Sequence, residues 1–89
     1  MASKYQIYYT PTFRKQFNKI PKSIKLKAYK KESLFRNDPF TKSLKTHKLK
    51  GNFKNYWSFS IDYSYRIVFR FISSSKILFV DVGTHDVYK

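Results

Sequence analysis

Three runs of β-branched and aromatic residues constrain this chain more than any other feature: YWSFSI (56–61), YRIVFRFI (65–72) and KILFVDV (76–82), parted only by DYS and SSS. Breaks this short cannot carry a crossover, so consecutive runs must lie antiparallel as hairpins. If the first turn pairs Ile61 with Tyr65, then Phe59 faces Ile67, Trp57 faces Phe69, Ser60 faces Arg66 and Ser58 faces Val68. The apolar side chains then share one side of the sheet. At the second turn Ile72 can pair with Lys76 or with Ile77. The second option sets Phe71 against Leu78, Phe69 against Val80 and Ile67 against Val82, which keeps the apolar side intact and is the register expected. Tyr56, Ser58, Ser60, Arg66, Arg70 and Phe79 then fall on the other side, expected to be polar, basic and open. A slip by one residue would turn Arg66 into the core, where an unpaired guanidinium is costly.

An apolar sheet face needs a cover, and the preceding residues supply it. KYQIYY (4–9) reads as a first strand. Thr10 is a candidate N-cap and Pro11 suits the first helical position, where its missing N–H costs nothing. Pro21 opens a second helix in PKSIKLKAYKKESLFRN, which stops before NDP because Pro39 biases Asp38 away from the helical region. Phe13, Phe17, Ile20, Ile24, Ala28 and Phe35 recur at spacings of three, four or seven, opposite a lysine-rich face. Residues 39–55, PFTKSLKTHKLKGNFKN, show no sustained period, and Leu44, Leu49 and Phe53 make them a basic connector rather than a free linker. The expectation is a single domain over residues 1–89 with an α+β fold of order β-α-α-β-β-β. Its small antiparallel-rich sheet is covered on one face by the two N-terminal helices.

Charge narrows the function classes. The chain carries 19 Lys+Arg against 5 Asp+Glu, a net charge of +14, and 20% of its residues are aromatic. Such a surplus repels itself and fits an anionic partner, and aromatics at strand spacing favour nucleic acid over a membrane. A plain solubility surface is the bland alternative. The absence of cysteine excludes disulfides, thiolate nucleophiles and cysteine-based zinc sites. No apolar run approaches the roughly 18–20 residues that span a bilayer, and MASKYQIYYT lacks a signal-peptide core, so a cytoplasmic protein with no membrane partner is expected. His47, His85 and Asp86 share no ligand spacing, so neither metal nor cofactor is expected.

Three short motifs stand out: HKLKG (47–51), YRIVF (65–69) and GTHDVY (83–88). In the expected register Arg66 lies across from Gly83, so the chain leaving the last strand carries His85 past the same end of the sheet as Ser60 and Arg66. Each residue has a competing structural use. Arg66 could pair with Asp81 or Asp62, His85 could be an exposed tail residue, and His47 could be a surface or loop-packing residue. Trp57 has the parity of the core. Lys45, Lys48, Lys50 and Lys54 read as phosphate contacts or as a solvated run.

In this order and spacing the motifs resemble the RelE/ParE toxin superfamily, on its RelE/StbE (YafQ-like) mRNA interferase branch, over essentially the whole chain. The resemblance implies a RelE-like fold and the toxin of a type II toxin–antitoxin system. It implies a metal-independent endoribonuclease that cleaves mRNA on the 70S ribosome, in the A site, and is silenced by an acidic cognate antitoxin. Carried over residue by residue, the strand arginine is Arg66, the residue after the terminal Gly-x is His85, the terminal aromatic is Tyr88, and the histidine of the H-x-L-x-G element is His47. Relatives often place lysine or histidine where this chain has Ser58 and Ser60, and commonly separate the last two site residues by four rather than three.

Metal-free cleavage of RNA needs a base for the 2′-hydroxyl, a cation on the phosphate, and an acid for the departing 5′-oxygen. Arg66 would serve the phosphate, His85 the proton transfers, and Tyr88 would donate a proton or stack, giving a 2′,3′-cyclic phosphate and a 5′-hydroxyl. Histidine suits because its ordinary pKa of about 6.5 allows either protonation state near neutrality. Lys45, Lys48, Lys50, Lys54, Ser58, Ser60 and Arg70 would contact the RNA. The alternative is a non-catalytic protein of the same fold, holding RNA or poisoning DNA gyrase as ParE-like relatives do, which would not need His85 beside Arg66.

Overall fold

Thr10 organises the N-terminal half. Its extended backbone ends strand β1 (Gln6–Tyr9) and its hydroxyl accepts the amide of Phe13 at 3.0 Å, capping helix α1 (Pro11–Lys19) with Pro11 in the first turn. The computed structural model describes residues 4–51 and 55–84. Helix α2 (Lys22–Asn37) starts on the Pro21 carbonyl, which receives the amides of Ile24 and Lys25, both at 3.0 Å. It ends where Asp38, preceding Pro39, turns extended and gives its amide to Leu34.

The sheet has strand order β1-β5-β4-β3-β2, with β2 His47–Lys48, β3 Trp57–Ser60, β4 Tyr65–Phe71 and β5 Lys76–Thr84. All neighbours are antiparallel except β1, which runs parallel to β5. Strand β2 was not expected. It comes after a 3₁₀ turn (Lys42–Leu44) in the basic connector, where two residues are too few to show a period, and it pairs His47 with Ser58 and Lys48 with Trp57.

Every expected β3–β4 pair is present: Trp57 with Phe69, Ser58 with Val68, Phe59 with Ile67 and Ser60 with Arg66. Between β4 and β5 both candidate registers occur. Near the turn the Ile72–Lys76 register holds, with Ile72 donating to the Lys76 carbonyl at 2.8 Å and Phe71 opposite Ile77. Past a bulge at Val80 the other takes over, with Ile67 opposite Val82 and Arg66 opposite Gly83. The pairs Phe71–Leu78 and Phe69–Val80 are therefore replaced by Phe71–Ile77 and Phe69–Phe79. Phe79 consequently lies in the core at 1% exposure, not on the outer face.

The bulge has a visible anchor. Thr10 donates its hydroxyl to the Val80 carbonyl at 2.8 Å and its amide to the Phe79 carbonyl at 3.1 Å. One side chain thus caps α1 and satisfies the backbone of the extra residue in β5.

Under the helices Phe35 is fully buried among Phe59, Phe69 and Phe79, with ring centroids 4.7, 4.8 and 5.4 Å away. Phe13, Ile20, Ile24, Ala28, Leu44, Ile61, Ile67, Ile77 and Val82 complete this cluster. The opposite face is not uniformly open: Ser58 and Val68, with 0% and 2% exposure, are closed off from solvent.

Candidate active site

The outer face is built in rows by the strand register. His47, Ser58, Val68 and Asp81 are successive cross-strand partners on β2, β3, β4 and β5, and the adjacent row is Ser60, Arg66 and Gly83. Directly opposed residues of antiparallel strands share a face, so His47 and Arg66 occupy the same side of the sheet one row apart. His47 is exposed, and its Nδ1 lies 3.1 Å from the Lys45 carbonyl. A carbonyl can only accept, so this contact requires a proton on Nδ1 and, in the neutral ring, leaves Nε2 as an acceptor.

Arg66 is half-buried. One terminal nitrogen donates to Ser60 Oγ at 3.3 Å, while its Nε is buried without a hydrogen-bond partner among the described residues. Both expected carboxylate partners are otherwise placed. Asp62 accepts the amides of Ser64 and Tyr65 at 2.9 Å each and lies 3.7 Å from Lys27, and these contacts, the Tyr65 amide first, hold its carboxyl below the usual range. Asp81 accepts the Val82 amide at 2.8 Å, and loss of solvent pushes its carboxyl up, an effect the amide partly offsets. Among the described residues Arg66 forms no ion pair.

A cleft of about 780 Å³ opens at this end of the sheet, lined by Arg66, Ser60, Asp62, Tyr63, Lys31, Lys45 and Thr84, with Ser43, Ile61 and Ser64. It brings together Arg66, Ser60 and Lys45 of the expected site. Ser58 is fully buried and does not line the cleft. Lys48 and Lys50 are exposed but lie outside the cleft lining, and Arg70, also exposed, sits opposite Leu78 on the far side of Val68. His85, Tyr88 and Lys54 lie outside the described residues, although Thr84, which immediately precedes His85, lines the cleft.

Lys31 was missed. It follows Ala28 by three as Lys27 follows Ile24, so both lysines flank the buried stripe of α2; that spacing was the available signal. Lys45 is also unusual in its backbone, with φ 53° and ψ 40° at the end of the 3₁₀ turn. A lysine held in the left-handed region at a cleft is a strained choice where glycine or asparagine would be easier.

The family model for the bacterial toxin of type II toxin–antitoxin systems, YafQ, matches residues 5–88. The chain belongs to this family. The fold agrees: YafQ from E. coli superposes with a TM-score of 0.77 at 21% identity, covering 92% of this chain and 94% of that one. The E. coli DinJ–YafQ toxin–antitoxin complex gives 0.75 at 21% identity over 93% and 94%. The archaeal RelE–RelB complex from Pyrococcus horikoshii gives 0.74 at 12% identity over 94% and 98%. No curated protein matches the chain. As a YafQ-family toxin it has the expected helix-covered sheet. Among the described residues no helix is long and apolar enough to cross a membrane, and no three His, Asp or Glu side chains are grouped to hold a metal.

Proposed function

We propose that this toxin is a metal-independent endoribonuclease that cleaves mRNA in the ribosomal A site and is neutralised by an acidic cognate antitoxin. The observation that carries the reading is Arg66: half-buried, unpaired with any described carboxylate, and lining a cleft beside Ser60, Lys31 and Lys45. A guanidinium without a described carboxylate partner, sharing a cleft with two ammonium groups, is suited to a phosphate rather than to holding the fold together.

In the proposed reaction the 2′-oxygen attacks phosphorus as its proton passes to a base. The bond to the 5′-oxygen breaks, and an acid returns a proton to the leaving oxygen. The products are a 2′,3′-cyclic phosphate and a 5′-hydroxyl. Arg66 neutralises the charge that builds on the phosphoryl oxygens. His85 exchanges the protons and Tyr88 supports it, while His47, on the same face as Arg66, is the second candidate acid or base. Lys31 and Lys45 hold the flanking backbone.

The test is to add the protein to translating ribosomes and map the 5′ ends of the message. Arg66→Ala and His85→Ala should each lower cleavage by about 10²-fold or more. Growth arrest with intact message would sink the nuclease reading in favour of a non-catalytic toxin.

A further inference from the structure

A second cleft, of about 340 Å³, lies between α1 and α2 over the core face of the sheet, and the RNA site makes no use of it. Its lining includes Tyr9, Phe13, Phe17, Tyr29, Arg14 and Glu32. Phe13 and Phe17 stack at 5.6 Å, and Tyr29 packs 5.7 Å from Phe17 while remaining 57% exposed. A space this size, walled by aromatic rings and open at one lip, accepts one large apolar side chain of a partner.

The charges around it select the partner. The Arg14 guanidinium lies 5.3 Å from the centroid of the Tyr9 ring, and the Lys25 ammonium lies 6.0 Å from that of Phe17, so both cations are held over rings of the lining. The carboxylate in the cleft, Glu32, is already engaged by the Tyr9 hydroxyl and by Arg36 at 3.5 Å. The mouth therefore presents positive charge around an apolar floor. Its complement is a protein segment with an apolar anchor flanked by acidic residues. RNA is the poorer match, because Glu32 lines this cleft and Lys31, its neighbour on α2, lines the other.

We infer that this cleft anchors a large apolar side chain on an acidic segment of the antitoxin, at a point separate from the RNA cleft. The inference rests on the proposed antitoxin partnership. Its consequence is that antitoxin affinity and RNA cleavage are carried by different residues of the toxin.

The experiment uses as probe the purified acidic antitoxin on which the inference rests, titrated calorimetrically into the toxin. Tyr29→Ala should weaken binding by about tenfold or more while RNA cleavage and the melting temperature stay near wild type. Arg14→Glu should weaken it several-fold more than Lys19→Glu, an equal charge change on an exposed residue of the same helix that does not line the cleft. Unchanged affinity for Tyr29→Ala, or equal losses for Arg14→Glu and Lys19→Glu, would overturn the anchor and leave only long-range attraction. Loss of cleavage with affinity retained would assign the cleft to RNA instead. Failure of the wild-type toxin to bind the probe would overturn the partnership itself, whereas a complex indifferent to the cleft variants overturns only the anchor.

Discussion

Replacing Thr10 with valine should cost far more than the loss of a helix cap alone. The hydroxyl does two things at once: it accepts the Phe13 amide at 3.0 Å at the start of α1, and it donates to the carbonyl of Val80 at 2.8 Å. Loss of a threonine N-cap costs about 1 kcal/mol. Loss of the second bond, in a part-buried setting, adds about 1 kcal/mol. The sum, about 2 kcal/mol, corresponds to a fall in melting temperature of roughly 8–16 °C for a domain of this size. Valine keeps the shape of threonine, so the change isolates the hydroxyl, whereas Thr10→Ser keeps both bonds and should stay within about 0.5 kcal/mol of wild type. Urea unfolding is the assay, with a lowered midpoint and an unchanged slope marking a stability effect alone. If valine is harmless, or if serine is as damaging as valine, then Thr10 does not tie α1 to the β5 bulge.

Three further outcomes follow from the same geometry. Ser58→Ala should leave cleavage unchanged and should hold or raise stability by about 1 kcal/mol, because the Ser58 hydroxyl is buried with no hydrogen-bond partner among the described residues; a tenfold loss of cleavage would return Ser58 to the RNA site. Lys45→Gly should stabilise the fold by about 0.5–1 kcal/mol by relieving its left-handed backbone, φ 53°, while weakening RNA binding and lowering the salt slope by about one. Denaturation and a salt titration on a short RNA separate these effects. For Asp81, burial raises the folded carboxyl above its unfolded value, so its favourable contribution is complete below the unfolded pKa of about 3.9 and is lost as pH rises through the folded one. Asp81→Asn should therefore raise the melting temperature at pH 7 and change it little at pH 3, and the opposite order would show that Asp81 is held by a cation.

Much of this architecture is legible in particular residues. Thr10-Pro11 and Pro21 mark where the helices begin, and Ile24, Ala28 and Phe35 mark the face that α2 buries. The β3–β4 hairpin follows from parity, because one residue of slip would exchange Phe59 and Phe69 for Ser58 and Arg70. The parallel pairing of β1 with β5 has no local signal, since it depends on how two helices return the chain to the sheet. Strand β2 is paired only because β3 supplies its partner, and with it comes the placement of His47 on the face of Arg66. The burial of Ser58 depends on what closes over its row, which parity alone does not reveal.

The β4–β5 register shows the physical limit most clearly. The turn favours Ile72 opposite Lys76, yet continuing that register to the far end would set Asp81 opposite Ile67 on the core side and turn Val82 outward; the two demands differ by one residue. Treated as alternatives, they force a choice, and choosing the register that pairs Ile67 with Val82 throughout misplaces Phe79. The chain satisfies both by setting Val80 aside as an extra residue, at the cost of a carbonyl removed from the ladder. That carbonyl is then satisfied by Thr10, 70 positions away in sequence. A bulge was therefore implied by the conflict itself: where a tight turn and a costly buried charge ask for registers one residue apart, a strand can meet both by bulging between them. What the sequence alone could not identify was the residue that would satisfy the bulge, because that depends on where the cap of α1 packs against the sheet.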